Sequence, residues 1–294
     1  MASWQAHLFS AFYRLTLKPR LKRARDIARI RILLAPKPSP LPRGVRLTPG
    51  EVGGIPGEWA ESANTRGLLL YIHGGGFIAC SVETHRPITC YLAQLGFRVF
   101  APSYRLAPEN PFPAAIHDLI EVFLAMVGDP PLPVALAGDS AGGGLALSLM
   151  LSLRDAGRPL PTAAALFSPW TDLACTGESI LNNEKTCALF TAGGLHEAAK
   201  LYLAGAPAND PLASPHYAKL TKLPPLLIHV SADETLLDDS TRLAEHARHD
   251  GVPVQLKVWP VVPHGWQLLA PRLPEARQSL SEAADFLTDG SLQT

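Results

Sequence analysis

Ser140 stands between Gly138 and Gly142, where the apolar run Pro133-Val134-Ala135-Leu136-Ala137 gives way to apolar residues at helical spacing from Leu145 to Leu153. That order implies strand, tight turn and helix, and G-x-S-x-G at such a junction is the sequence form of a nucleophile elbow. The chemistry it offers is that of an activated hydroxyl. A strained turn lifts the serine off the strand end, so the residues two positions away must lack side chains. A helix starting at Ala141 also aims free amides at negative charge developing beside the serine. Asp139, just before Ser140, supports the motif rather than reacting.

Such a serine needs hydrogen-bond donors and a base. His73-Gly74-Gly75-Gly76-Phe77 follows the end of another apolar run, and three consecutive glycines cost conformational entropy that a plain loop seldom needs. Their use is close approach of backbone amides to a ligand atom. Acyl transfer requires at least two donors roughly 2.7–3.1 Å from the oxyanion, and the amides of Gly75, Gly76 and Ala141 are the candidates. The glycine patterns of phosphate-cradling loops are missing here. His73 itself is expected to brace the loop.

Among ten histidines, His264 stands out because Pro263-His264-Gly265-Trp266 lies in the loop after the last expected strand. The chain order serine, acid, histidine places a general base there. His7, His85, His117, His196, His216, His246 and His249 fall in helices or in an inserted stretch from Thr171 to about Ser214 and its edge, and His229 lies inside a strand. The acid should follow the strand Leu226 to Val230, where Asp233 and Glu234 both qualify by position. Its work is to hold the imidazole in one tautomer and stabilise its cation. Asp238 and Asp239 read as acids favoured by the dipole at the start of the next helix.

The elements that must position these groups alternate. Strands are expected at Val45 to Leu47, Gly54 to Ala60, Gly67 to His73, Arg98 to Pro102, before Ser140, Ala163 to Ser168, Leu226 to Val230 and Val254 to Trp259. Helices fall between them at Glu83 to Leu95, Pro113 to Val127, after Ser140, Leu236 to Asp250 and Pro274 to Thr288. Such alternation implies a mostly parallel sheet covered by helices on both faces. The stretch from Thr171 to Ser214, with helical pieces at Glu178 to Phe190 and Gly194 to Leu203, is too long for a connection and reads as an inserted lid. Residues 3–34 are amphipathic and helical with a break at Pro19, and Pro36, Pro38, Pro40 and Pro42 form an extended link. Four segments result: an N-terminal helical segment 1–45, a first core part 46–170, the insertion 171–214 and a second core part 215–294. Strand Val254 to Trp259 is the expected sheet edge, through which two copies could pair.

Composition narrows the function. A hydrophobic fraction of 47% in 294 residues supplies a substantial core. Lys plus Arg and Asp plus Glu both number 26, so no global field recruits nucleic acid. The first 50 residues are the exception, with Asp26 as their single acid beside a run of cations from Arg14 to Arg31. Cys80, Cys90, Cys175 and Cys187 show no metal-binding spacing and read as thiols of a reducing compartment. No apolar run nears the roughly 20 residues of a membrane span, and no signal-peptide pattern opens the chain. A cytoplasmic protein without stable membrane insertion, metal or cofactor is expected.

The motifs HGGGF at 73–77, YRLAPENPFPA at 104–114, GDSAGG at 138–143, LASP at 212–215 and PHGW at 263–266 together resemble those of the hormone-sensitive-lipase-like esterases. This is a branch of the α/β-hydrolases. The resemblance runs from residue 67 to the C-terminus. It implies an α/β-hydrolase core under a helical cap built from the N-terminal segment and the insertion, and cofactor-free hydrolysis of short acyl esters. The family's Asp-Pro-Leu-x-Asp-Glu overlays Glu234-Thr235-Leu236-Leu237-Asp238-Asp239, which puts Glu234 at the acid position in place of the commoner aspartate. Ser103 also departs from the family, which usually has aspartate before Tyr-Arg. Ser140, Glu234 and His264 are then the triad. Lactone or amide hydrolysis by the same triad is the nearest alternative, and a ligand-binding receptor on this fold is another.

Overall fold

The runs Leu68–Ile72, Val134–Ala137, Ala164–Phe167 and Leu226–Val230 are apolar at every or nearly every position, and such strands are stable only with both faces covered. In the computed structural model, which describes residues 2–24, 26–35, 42–128 and 133–291, they lie in the middle of one eight-stranded sheet. Its strands are β1 (Val45–Val52), β2 (Ile55–Ser62), β3 (Gly67–Ile72), β4 (Phe97–Pro102), β5 (Val134–Asp139), β6 (Ala164–Phe167), β7 (Leu226–Ser231) and β8 (Val254–Trp259), in the order β1-β2-β4-β3-β5-β6-β7-β8. The pairs β1/β2 and β2/β4 are antiparallel, and all other neighbours are parallel. Gly53 and Gly54, with φ of 60° and 77°, close the β1–β2 hairpin in two residues. β8 is the sheet edge, and its side chains are largely half-exposed.

Helices α4 (Arg86–Gln94), α5 (Ala114–Val127), α6 (Ala141–Asp155), α9 (Leu237–His249) and α10 (Pro274–Ser291) cover the sheet. Alternation along β3 sends Leu70 and Ile72 to one face, against Leu119 of α5 and Leu145 and Leu149 of α6. Leu69 and Tyr71 go to the other, against Ile88 and Leu92 of α4 and Leu280 and Leu287 of α10. Between β6 and β7 lie two further helices, α7 (Ser179–Asn182) and α8 (Ala192–Leu203). The first is shorter than the expected Glu178 to Phe190, since the chain turns after Asn183.

The N-terminal segment differs from expectation at Pro19. Helix α1 (Trp4–Phe12) runs through a π turn, Tyr13–Leu17, straight into α2 (Lys18–Arg23), and no break occurs at the proline. Pro19 falls in the first turn of α2, where no amide proton is required, and the wider π turn before it carries the Lys18 amide back to Tyr13. The break comes at Ala24, which is extended, and Asp26 then caps α3 (Ile27–Leu34) by accepting from the Arg29 amide at 2.7 Å. Of the expected extended link, Pro36, Pro38 and Pro40 lie outside the described residues, while Pro42 precedes β1. Ser3 ties the start of α1 to α10, its amide and hydroxyl donating to Glu275 at 2.6 and 2.9 Å. Among the described residues no helix is long and apolar enough to cross a membrane.

Asp239 lies in the first turn of α9 as its position in the sequence implied, but the dipole is not its main tie. It is 1% exposed, and its Oδ1 accepts from the amides of Thr171 and Asp172 at 2.7 and 2.9 Å. It thereby fastens the chain after β6 to α9. Burial pushes its carboxyl up to about 7. An unfolded aspartate titrates near about 3.9, so between those values the folded chain holds the extra proton. The contribution is complete below about pH 4 and is lost as pH rises through about 7. Asp239→Asn keeps the acceptor and removes the charge, so urea midpoints at pH 5 and pH 8 should differ less for the variant than for the parent chain; equal differences would contradict this account.

Candidate active site

Ser140 follows β5 directly and has φ 55° and ψ −124°, a left-handed conformation that a side-chain-bearing residue adopts only when its surroundings impose it. Its amide donates to Phe167 at 2.8 Å, and its carbonyl accepts from Gly144 and Trp170 at 3.1 and 2.9 Å. The flanking glycines are required by space. A Cβ on Gly138 would come within 2.6 Å of the Gly142 carbonyl oxygen, and one on Gly142 within 2.1 Å of that of Ile72.

The glycine loop is held from below. The Gly74 amide donates to Asp139 Oδ1 at 2.9 Å, Tyr71 donates to the same oxygen at 2.7 Å, and His85 Nε2 lies 3.3 Å from Oδ2. Burial alone would raise the Asp139 carboxyl, but His85 and the hydroxyl of Tyr71 outweigh it and bring it down to about 2. His73 braces the loop from above, its Nδ1 2.7 Å from the Gly74 carbonyl and its ring stacked on Tyr104 at 4.4 Å. Burial, with His85 nearby, pushes His73 down to about 4, so it is neutral at pH 7. Gly75 and Gly76 turn at φ of 120° and 63°. Among the described residues, the amides of Gly75, Gly76 and Ala141 have no protein acceptor.

His264 sits in the loop after β8, and Gly265 turns the chain behind it at φ 68°. Its Nδ1 is hydrogen-bonded to Glu234 Oε2. The other carboxylate oxygen of Glu234 accepts from the Ser168 hydroxyl at 2.6 Å and the Ser231 amide at 2.7 Å. Glu234 is 1% exposed and His264 6%. Asp233 is half-buried; its carbonyl accepts from Thr186 and its amide donates to Ser231 Oγ at 3.4 Å, and among the described residues no hydrogen bond joins it to His264. The turn carrying these acids is clamped from the insertion, because Asn183 Nδ2 donates to the carbonyls of both Ala232 and Glu234 at 3.0 Å.

Ser140, Gly75 and Gly76 open into one cavity of about 90 Å³. Trp170, Leu189, Phe190 and Leu195 line it from one side, and Leu21, Lys22, Ile30 and Leu34 of the N-terminal helices from another. The ring of Phe190, one of the cavity walls, lies edge-on to His264 at 4.8 Å. Of the aromatic residues in the N-terminal segment and the insertion, Phe190 lines the cavity; Tyr202 is buried against Phe77 at 3.9 Å, and Trp4 and Phe12 are exposed. Trp170, Ser168, Tyr71 and His85 carried no sequence signal of their own. A strained hydroxyl, unspent amides and a carboxylate-held imidazole around an apolar cavity can together take an acyl group through a covalent intermediate.

A family profile described as alpha/beta hydrolase fold matches residues 69–268. The chain is similar to an acetyl-hydrolase of Streptomyces hygroscopicus, 43% identical over 81% of this chain and 82% of that protein. It is similar also to an esterase of Acinetobacter venetianus, 36% identical over 83% and 82%. Among solved structures, an esterase from the bacterial hormone-sensitive lipase family superposes with a TM-score of 0.91 at 36% identity, covering 99% of this chain and 100% of that one. The chain belongs to the hormone-sensitive-lipase-like esterases of the α/β-hydrolase superfamily.

Removing the Ser168 hydroxyl leaves the buried Glu234 carboxylate one donor short. Ser168→Ala should lower unfolding free energy at pH 7 by about 1–3 kcal/mol in urea titrations, and a loss under about 0.5 kcal/mol would mean that hydroxyl carries no such share.

Proposed function

We propose that this carboxylic-ester hydrolase cleaves short-chain acyl esters with Ser140 as nucleophile, His264 as general base and acid, and Glu234 as the group that orients His264. The observation that carries the reading is the cavity shared by Ser140, Gly75 and Gly76, with the Glu234-held His264 packed against its Phe190 wall. Ser140 Oγ attacks the ester carbonyl as its proton passes to His264 Nε2, and the carbonyl oxygen becomes an oxyanion facing the amides of Gly75, Gly76 and Ala141. Collapse of that intermediate breaks the ester C–O bond, and His264 returns the proton to the leaving alcohol. Water then gives a proton to His264 and attacks the acyl carbon; the bond from that carbon to Ser140 Oγ breaks, Oγ takes the proton back from His264, and the acid is released. Glu234 needs only its Oε2 for His264, since Ser168 and Ser231 hold the other oxygen.

Segments 1–45 and 171–214 serve in this reading as the cap that sizes the acyl site. Residues from both line the small cavity, and apart from Ser140 itself its polar side chains are Lys18, Lys22 and Thr191. A short acyl group fits that space, as the acetyl-hydrolase name of the Streptomyces relative also suggests.

Ser140→Ala is expected to lower kcat for p-nitrophenyl acetate by about 10³–10⁶ with the fold intact by circular dichroism; more than a tenth of the rate remaining would sink the assignment. The acid is tested by comparing two variants. Glu234→Gln should cost about 10²–10⁴ in kcat, whereas Asp233→Asn stays within about threefold; the opposite ranking would move the role to Asp233.

A further inference from the structure

The N-terminal helices hold an apolar stripe in water. Ala6 and Ser10 of α1 are buried and Ser3 is tied to Glu275, which fixes the face that turns inward. On the outer side stand Trp4, Leu8 and Phe12 at helical spacing, continued by Leu15 in the π turn; they are 70%, 55%, 55% and 75% exposed. One exposed leucine needs no explanation, but four large apolar side chains along one short helical segment do. Cations accompany them: Arg14, Arg20, Lys22, Arg23 and Arg29 are exposed, and Asp26 is the single acid of residues 1–35. Arg31 is not part of this set, because its guanidinium is engaged by Glu109 at 2.7 Å.

We propose that this face docks on an anionic lipid surface. Charge complementarity selects that occupant. A second copy of the chain would bring the same cations against these, whereas an acidic headgroup layer meets them with opposite charge and its acyl boundary receives Trp4, Leu8, Phe12 and Leu15. The segment so anchored also rims the cavity, through Lys18, Leu21 and Lys22 of α2 and Ile30 and Leu34 of α3. Docking therefore holds the cavity rim at the boundary where esters of low water solubility collect; this last consequence rests on the esterase reading above, while docking itself does not.

Vesicle flotation of the full chain without substrate tests the docking apart from catalysis. Vesicles of phosphatidylcholine with about 30% phosphatidylglycerol should carry about fivefold more protein than phosphatidylcholine alone, and about 0.5 M salt should erase the difference. Leu8→Ser with Phe12→Ser should lower anionic-vesicle binding about fivefold while leaving melting temperature and hydrolysis of a soluble ester unchanged. Absence of binding, equal binding to both vesicle types, or binding indifferent to the double substitution would overturn the proposal. So would a dimer in sedimentation velocity that the same substitutions dissolve, which would assign the stripe to a second copy.

Discussion

A Cβ on Gly142 would lie 2.1 Å from the Ile72 carbonyl oxygen and 2.6 Å from that of His73, so the first turn of α6 is pressed directly onto the end of β3. No side chain fits between them. That contact between two backbones brings the serine turn and the glycine loop, which are some sixty-five residues apart in the chain, to one point at the carboxyl ends of the parallel strands. Gly143 and Gly144 extend the same close packing toward Pro169 and Trp170, which would meet an added Cβ at 2.9 and 2.2 Å. The strain at Ser140 is sustained because the neighbouring strands, through Phe167 and Trp170, hold its amide and carbonyl.

Two buried carboxylates divide the work around that point. Asp139 lies beneath the glycine loop and spends its oxygens on Gly74, Tyr71 and His85. With the Gly74 amide turned inward to Asp139, the next two amides of the loop are left without a protein acceptor among the described residues. Glu234 lies under the imidazole and is itself held by Ser168 and Ser231. A buried carboxylate is costly unless hydrogen-bonded, and in each case the partners come from separate elements, so the folded sheet stabilises both.

The N-terminal helices link the two faces of the molecule. Ala6 packs in the cluster beside α10, whereas Ile30 and Leu34 pack against the opposite one. Between these anchors the π turn at Tyr13–Leu17 lets α1 pass into α2 without the interruption that Pro19 would cause inside a regular helix. Lys18 then reaches the carbonyls of Glu184 and Cys187, which joins this segment to the insertion over the cavity.

What could be read in the sequence was whatever local backbone chemistry dictates. Glycines two residues either side of Ser140, the glycine run after a strand, and alternating apolar runs of strand and helix length each specify conformation within a few residues, and the sheet, its edge at β8 and the elbow are found where they pointed. The break expected at Pro19 failed because a π turn, which leaves no residue-type signature, absorbed the proline. Asp239 stands in the first turn of α9 as its position implied, but its burial could not be read there because it depends on Thr171 and Asp172, sixty-eight and sixty-seven residues away. The contact that separates Glu234 from Asp233 was open for the same reason: adjacent carboxylates look alike along the chain. Only the tertiary structure brings Ser168 from sixty-six residues and His264 from thirty residues away onto one of them. Distance in space between residues far apart in sequence is set by packing of the whole sheet, and no local pattern encodes it.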